Sequence, residues 1–233
     1  LTTIAAHEGA AMPRHGIAAL GLRIAVRSPA MTLLERETLL AQLRAQWVEA
    51  CQGSGRLVFI EGEAGIGKTT LLRTFAKSLH GDAPVLWGAC EAMLTPQPLG
   101  ALEDMVRPLP QSGGALARLV AGLAGVGGDR RRLFVALLDL LAERPTLAVI
   151  EDLHWADEAT LDLLRFVGRR LASTRSLLLA SLRSDEVVPE HPLRVVLGDL
   201  ATTGALRLPL LPLSLEAVRR LCAGSGLDPP GLH

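Results

Sequence analysis

A chain of 233 residues with 24 basic and 24 acidic side chains carries no formal net charge, is 49% hydrophobic and only 3% aromatic. That length supports one α/β domain with a small appendage and enough core to fold alone. The charge balance excludes the basic footprint of a nucleic-acid-binding domain, and scarce aromatic rings exclude a stacking platform for single strands. The longest run without a charged residue, 92–102, falls short of the ~20 apolar residues of a membrane helix, so a soluble, cytoplasmic protein is expected.

Three dispersed cysteines, Cys51, Cys90 and Cys222, form no CxxC pair, and six scattered histidines show no ligand spacing. Reduced thiols and no structural zinc are expected. Lysine is rare: Lys68 and Lys77 stand among 24 basic residues, the rest being arginine. A lysine at a chosen position is therefore informative.

Residues 1–30 are Ala-rich and show no sustained period. They are expected to be a disordered extension, or upstream sequence ahead of a natural start at Met31. From Thr32 the pattern sharpens: Thr32-Leu-Leu-Glu35 has the form of a capping box, with Leu40, Leu43 and Trp47 following at helical spacing. Gly53-Ser-Gly55 ends that helix. Apolar runs of strand length follow at 57–60, 85–87, 147–150, 177–182 and 206–211. Helical patterns lie between them at 68–79, 115–123, 131–142 and 159–171. Near-continuous apolar strands separated by amphipathic helices predict a parallel sheet covered on both faces. Residues 111–128, rich in Gly and Ala, read as a mobile insertion. A short helix at 215–222 then leads into Gly-Ser-Gly and Asp-Pro-Pro. The organisation expected is a P-loop domain over 31–212 and the start of a truncated helical region over 213–233.

Directly after the first strand comes Gly62-Glu63-Ala64-Gly65-Ile66-Gly67-Lys68-Thr69-Thr70. It matches G-x-x-x-x-G-K-[ST] with a strand before it and a helix after it. Glycines let the backbone curl so that its N–H groups converge on phosphate oxygens, and the helix that follows aims its positive end at the same place. Lys68 adds a point charge for the β- and γ-phosphates, and the Thr69 hydroxyl is a magnesium ligand. The nine residues 62–70 form the expected nucleotide cradle.

Further along, Leu147-Ala-Val-Ile150 buries a strand from whose C-terminal end Glu151 and Asp152 emerge. That edge is where an open α/β sheet holds its ligand. By position, Glu151 belongs to the metal side, with Thr69, and Asp152 to activation of the attacking water. Asp157 is expected to cap the next helix, and His154 and Trp155 to pack at the sheet edge. Arg183, at the end of the 177–182 strand, points toward the γ-phosphate or pairs with Asp185 or Glu186; both readings stay open.

EGEAGIGKTTLL, VIEDLHWADEATLDLLRFVGRRL, SLRSDE and LPLLPLSLEAVRRL together resemble the ATPase domain of large LuxR-type, maltose-activator-like bacterial transcription regulators. These are STAND-class NTPases allied to AAA+ proteins. The likeness spans about residues 32–221. Within it, Leu34-Glu-Arg-Glu37 is similar to a glycine-arginine-glutamate motif bordering the adenine pocket, with glutamate where glycine is usual, and Trp87-Gly-Ala-Cys90-Glu91 to the second strand and its loop. The resemblance implies a three-layer α/β/α P-loop NTPase with a five-stranded parallel sheet in the order 5-1-4-3-2. It also implies ATP with Mg2+, slow hydrolysis used as a switch, and catalytic or sensing roles for Lys68, Glu151, Asp152 and Arg183. Implied partners are further domains of a longer protein or a second copy, with no membrane and no nucleic acid bound by this chain alone. Many relatives place aspartate first in the acidic pair; here glutamate leads.

Three other classes of nucleotide-binding protein fit the sequence less well. A GTPase needs an Asn-Lys-x-Asp reader, and the chain contains no asparagine. A transporter-type ATPase finds only a faint signature in Gln111-Ser-Gly-Gly114, too far ahead of the acidic strand. A small-molecule kinase would use Arg130-Arg131-Arg132 as a lid, a run that reads better as a solvated helix start. A nucleotide-gated interaction module with little or no hydrolysis remains as the non-enzymatic alternative.

Overall fold

In a computed structural model, which describes residues 33–79, 81, 83–95, 97–109 and 129–225, strands and helices alternate along the chain. The order is α1 (Glu37–Cys51), β1 (Arg56–Glu61), α2 (Lys68–Ser78), β2 (Val85–Ala89), α3 (Gly100–Val106), α4 (Arg130–Glu143), β3 (Leu147–Glu151), α5 (Glu158–Gly168), β4 (Leu177–Leu182), α6 (Pro192–Ala201), β5 (Leu206–Pro209) and α7 (Leu215–Ser225). The five strands form one parallel sheet ordered β2-β3-β4-β1-β5. This is the expected 5-1-4-3-2 arrangement seen from its other edge.

Period-two alternation assigns the side chains to two cores. Val58 and Ile60 of β1, Val149 of β3 and Leu179 of β4 pack with Leu43 of α1 and Leu71, Leu72 and Phe75 of α2. Leu57 and Phe59, with Ala148, Ile150, Leu178 and Ala180, face α3, α4, α5 and α6 on the other side. Helices on both faces leave β3 and β4 buried along their whole length. Such burial explains why these strands read as unbroken apolar runs.

Several local expectations are corrected. Thr32 lies outside the described residues, and Glu35 sits ahead of α1 in a left-handed turn (φ 57°), so no capping box forms. Its carboxylate instead accepts from the backbone N–H of Ser214 at 2.8 Å and from the Ser214 hydroxyl, joining the start of the described chain to the segment before α7. Arg36, the residue flanking α1, is buried and donates to the Leu211 carbonyl at 2.7 Å. β5 stops at Pro209, two residues short of the expected run, and α5 ends at Gly168 before a 3-10 turn at Leu171–Ser173. Helices α3 and α6 were not expected. The extension at 1–30, the Gly/Ala-rich segment at 111–128 with its helical pattern at 115–123, and the last residues of the chain fall outside the described residues.

Candidate nucleotide site

Parallel topology brings the C-terminal ends of all five strands to one edge, and the expected site residues collect there. β4 lies between β1 and β3, with Leu182 in register with Glu61. Arg183 therefore leaves β4 beside Gly62, while Asp152 leaves β3 on its other side.

The cradle turns from β1 into α2. Gly67 is left-handed (φ 103°), as is Gly65 (φ 71°), a conformation that costs a side-chain-bearing residue and leaves glycine unstrained. Glu63, Ala64 and Gly65 are exposed and Ile66 and Gly67 half-buried, whereas Lys68 is buried at the first turn of α2. Its ammonium curls back over the loop and donates to the carbonyls of Gly62 and Glu63, both at 2.8 Å. Burial pushes the Lys68 pKa below its usual value, with the Asp152 charge opposing that shift and the Arg183 charge adding to it. Thr69 and Thr70 follow, half-buried, on the first turn of α2.

Glu151, the last residue of β3, is 6% exposed and held from two directions. The Thr69 hydroxyl donates to Oε2, and the indole N–H of Trp87 donates to Oε1 at 2.8 Å. Asp152 adopts a left-handed conformation (φ 56°), which Asp tolerates better than most residues. Its N–H donates to the Ser181 hydroxyl of β4 at 3.1 Å. Half-buried, it lies close enough to Lys68 for their charges to interact.

Arg183 pairs through Nη1 with Glu186 Oε1, and its guanidinium carbon lies 4.8 Å from the centre of the Trp155 ring. The Arg183 hydrogen bond holds the Glu186 carboxyl below the ordinary carboxylate range. His154 is buried beside them: its Nδ1 accepts from the Arg183 N–H at 3.4 Å, and its Nε2 faces Glu186 Oε2 at 3.6 Å. Burial lowers the His154 pKa, so the neutral ring is favoured. Asp157 caps α5 as expected, accepting from Ala159 and Thr160 N–H at 2.9 and 3.0 Å, and also takes the N–H of Leu99 at 3.2 Å.

Trp87 and Ser181 are the contacts that sequence reasoning missed, whereas the Arg183–Glu186 pair is one of the two readings left open for Arg183. Nothing in the spacing of Trp87 from Glu151 signals their contact, because it follows from β2 pairing with β3 in register Trp87↔Val149. A cavity of about 220 Å³ opens farther along the same edge, lined by Cys90, Glu91, Glu103, Asp104, Trp155 and Asp157 among others. Its carboxylates would repel phosphate, so it stands apart from the cradle. Cys51 and Cys90 are free thiols, and burial pushes Cys90 up to about 12.

The donor set fits magnesium: a hydroxyl and a carboxylate, both hard oxygens, meet beside the cradle. Among the described residues no group of three or more His, Cys, Asp or Glu could hold a metal ion. A nucleotide-bridged Mg2+, which keeps several waters and takes few protein ligands, needs no such cage. No helix among those residues is long and apolar enough to cross a membrane.

Comparison with known proteins places this geometry in context. No curated protein matches the chain. Among solved structures, Cdc6p from Pyrobaculum aerophilum aligns over 84% of this chain and 51% of its own, with a TM-score of 0.56 at 16% identity. The ORC2 protein of Aeropyrum pernix, solved in ADPNP and ADP complexes, covers 82% and 51%, with a TM-score of 0.57 at 19% identity. The ORC1 protein of the same organism, solved with DNA, covers 82% and 49%, with a TM-score of 0.52 at 18% identity. At these identities the likeness is one of fold, and the chain spans about half the length of the proteins it matches. These findings overturn the assignment to LuxR-type, STAND-class regulators, since the fold likeness runs to Cdc6 and ORC proteins and the matching family is a different one. That family, described as an AAA ATPase domain, matches residues 32–180, which hold the cradle, Glu151, Asp152 and the strands that carry them: the chain belongs to the AAA ATPase domain family.

Proposed function

We propose that this domain binds ATP with Mg2+ in the 62–70 cradle and hydrolyses it. The observation that carries the reading is the meeting of Lys68, Thr69 and Glu151 at one end of the sheet. In it, the N–H groups of residues 62–70 and the first turn of α2 bind the phosphates. Lys68 exchanges its two loop carbonyls for β- and γ-phosphate oxygens, a stronger charge-assisted pairing.

Thr69 and Glu151 would hold the magnesium, Glu151 through water, with Trp87 fixing the carboxylate. The ion supplies charge neutralisation at the phosphoryl group being transferred. Asp152, half-buried beside Lys68, orients the attacking water and takes its proton. Arg183 senses the terminal phosphate. ATP rather than GTP rests on the absence of asparagine for a guanine-reading element. The structure of ORC2 with ADPNP and ADP lends support by analogy. Zero net charge gives no reason to add nucleic acid to the partners of this chain.

Lys68→Ala removes a charge-assisted contact worth about 1.5–3 kcal/mol, so affinity for a fluorescent ATP analogue is expected to fall roughly tenfold or more. Unchanged titration would remove the cradle. Steady-state phosphate release is expected to stop in Asp152→Ala while nucleotide binding persists. Release that survives this substitution would take Asp152 out of the chemistry, and no release from the unaltered protein would leave a binding module alone.

A further inference from the structure

Arg183 faces two demands. Its position beside the cradle suits a phosphate, yet its guanidinium already has a carboxylate partner and an aromatic face. We propose that Glu186 is a positioning residue: it holds Arg183 against Trp155 as a substitute for the terminal phosphate, so that a triphosphate must displace this carboxylate to engage Arg183, and Glu186 thereby sets how strongly the site prefers a triphosphate to a diphosphate. The proposal rests on the nucleotide reading given above.

Lys68 and Arg183 approach the same place from the ends of β1 and β4, and the Arg183 charge disfavours the Lys68 ammonium, whereas Asp152, Asp185 and Glu186 relieve it. Glu186 thus offsets a repulsion that phosphate would otherwise offset. The pair closes within one tight turn, residues 183 to 186, so little chain entropy is lost in forming it. Both side chains stay partly open to water, with exposures of 26% and 37%. A partly exposed pair of this kind is weak and exchangeable. A γ-phosphate offers more charge and three acceptor oxygens, so it outcompetes a single carboxylate. A diphosphate ends short of that point and leaves the pair intact.

His154 braces the arrangement. Because its Nδ1 accepts from the Arg183 N–H, the neutral ring carries its proton on Nε2, which faces Glu186 Oε2 and has no hydrogen-bond partner. His191 Nε2 meets the His154 carbonyl at 3.0 Å, its own Nδ1 being taken by the Leu193 N–H, and so fixes the turn from behind. Trp155 adds a surface on which Arg183 rests before exchange.

The test is equilibrium titration with a fluorescent, non-hydrolysable ATP analogue and with fluorescent ADP, both with Mg2+. Glu186→Gln keeps the side-chain shape and removes the competing charge. It is expected to tighten the triphosphate about three- to tenfold and leave ADP unchanged. Arg183→Ala is expected to abolish that preference, and the double variant to match Arg183→Ala alone. An unchanged triphosphate-to-diphosphate ratio in Glu186→Gln, or a gain that survives Arg183→Ala, overturns the proposal. Lys68→Ala separates the two readings: if it weakens both nucleotides while Glu186→Gln leaves the ratio unmoved, only the positioning role is lost. If Lys68→Ala weakens neither, the cradle fails and the proposal falls with it.

Discussion

His154 is a buried ring whose surroundings disfavour its charged form. Its ring is buried, and Lys68 and Arg183 add to the effect of burial in keeping it neutral, while Glu186 and Asp152 act the other way without winning. The folded pKa therefore lies below the 6.5 of an unperturbed ring. As pH falls through that value, the unfolded chain takes up a proton that the folded chain resists, so stability declines with falling pH until the folded ring also titrates. Melting temperature is expected to drop between about pH 7.5 and 5.5, and His154→Gln, which keeps an acceptor for the Arg183 N–H, is expected to flatten that slope. Parallel slopes for the two proteins would show that other groups set the acid sensitivity. Cys90 makes the contrasting case. Burial, reinforced by Asp157 and Asp152, moves its thiol to about 12. Such a thiol is an inert packing group rather than a nucleophile.

Helix α3 shows how an element can be placed by a single missing atom. A Cβ on Gly88 of β2 would lie 1.9 Å from the Ala101 carbonyl oxygen, a backbone atom with no freedom to move away. α3 thus packs directly on the edge strand, burying Leu102, Met105 and Val106. Gly88→Ala is expected to destabilise the protein by about 2–3 kcal/mol through overpacking, lowering the melting temperature by roughly 5–10 °C. Gly198 in α6 provides the control, because a Cβ there meets nothing within 4 Å. Gly198→Ala is expected to stabilise by about 0.5–1 kcal/mol from helix propensity alone. Similar losses in both variants would mean that glycine is needed at Gly88 for some reason other than the approach of α3. α3 was missed because seven residues are too few to show a helical period, and Pro96 and Pro98 stand just ahead of it. α6 did carry a signal, Pro192 at the first helical position behind a capping His191. The Thr32–Glu35 pattern misled in the opposite direction, for Glu35 answers to Ser214 across the fold and not to its own helix.

At the scale of the whole molecule, the sequence was informative where burial or phosphate chemistry restricts residue choice. Strands buried on both faces must be apolar throughout, which exposed β3 and β4 at once. Residues 62–70, Glu151 and Asp152 stood out in the sequence because few residue types suit the phosphate and metal chemistry proposed for them. Contacts that depend on which strand lies beside which, such as Trp87 on Glu151 or Ser181 on Asp152, leave no trace in spacing along the chain. The same dispersion makes the site a reporter of global stability. It draws on β1, α2, β3 and β4, so a ligand bound there engages the folded state and has nothing comparable to bind in the unfolded chain. Mg-ATP at about a hundredfold over its dissociation constant should stabilise the fold by about 2.7 kcal/mol, a rise of roughly 5–10 °C for a chain of this length. Mg2+ alone is expected to have little effect, because Thr69 and Glu151 are too few ligands without phosphate. ATP with a chelator is expected to give a smaller rise, and Lys68→Ala to lose most of it. A melting temperature that ignores saturating Mg-ATP would show that these elements do not converge on a nucleotide.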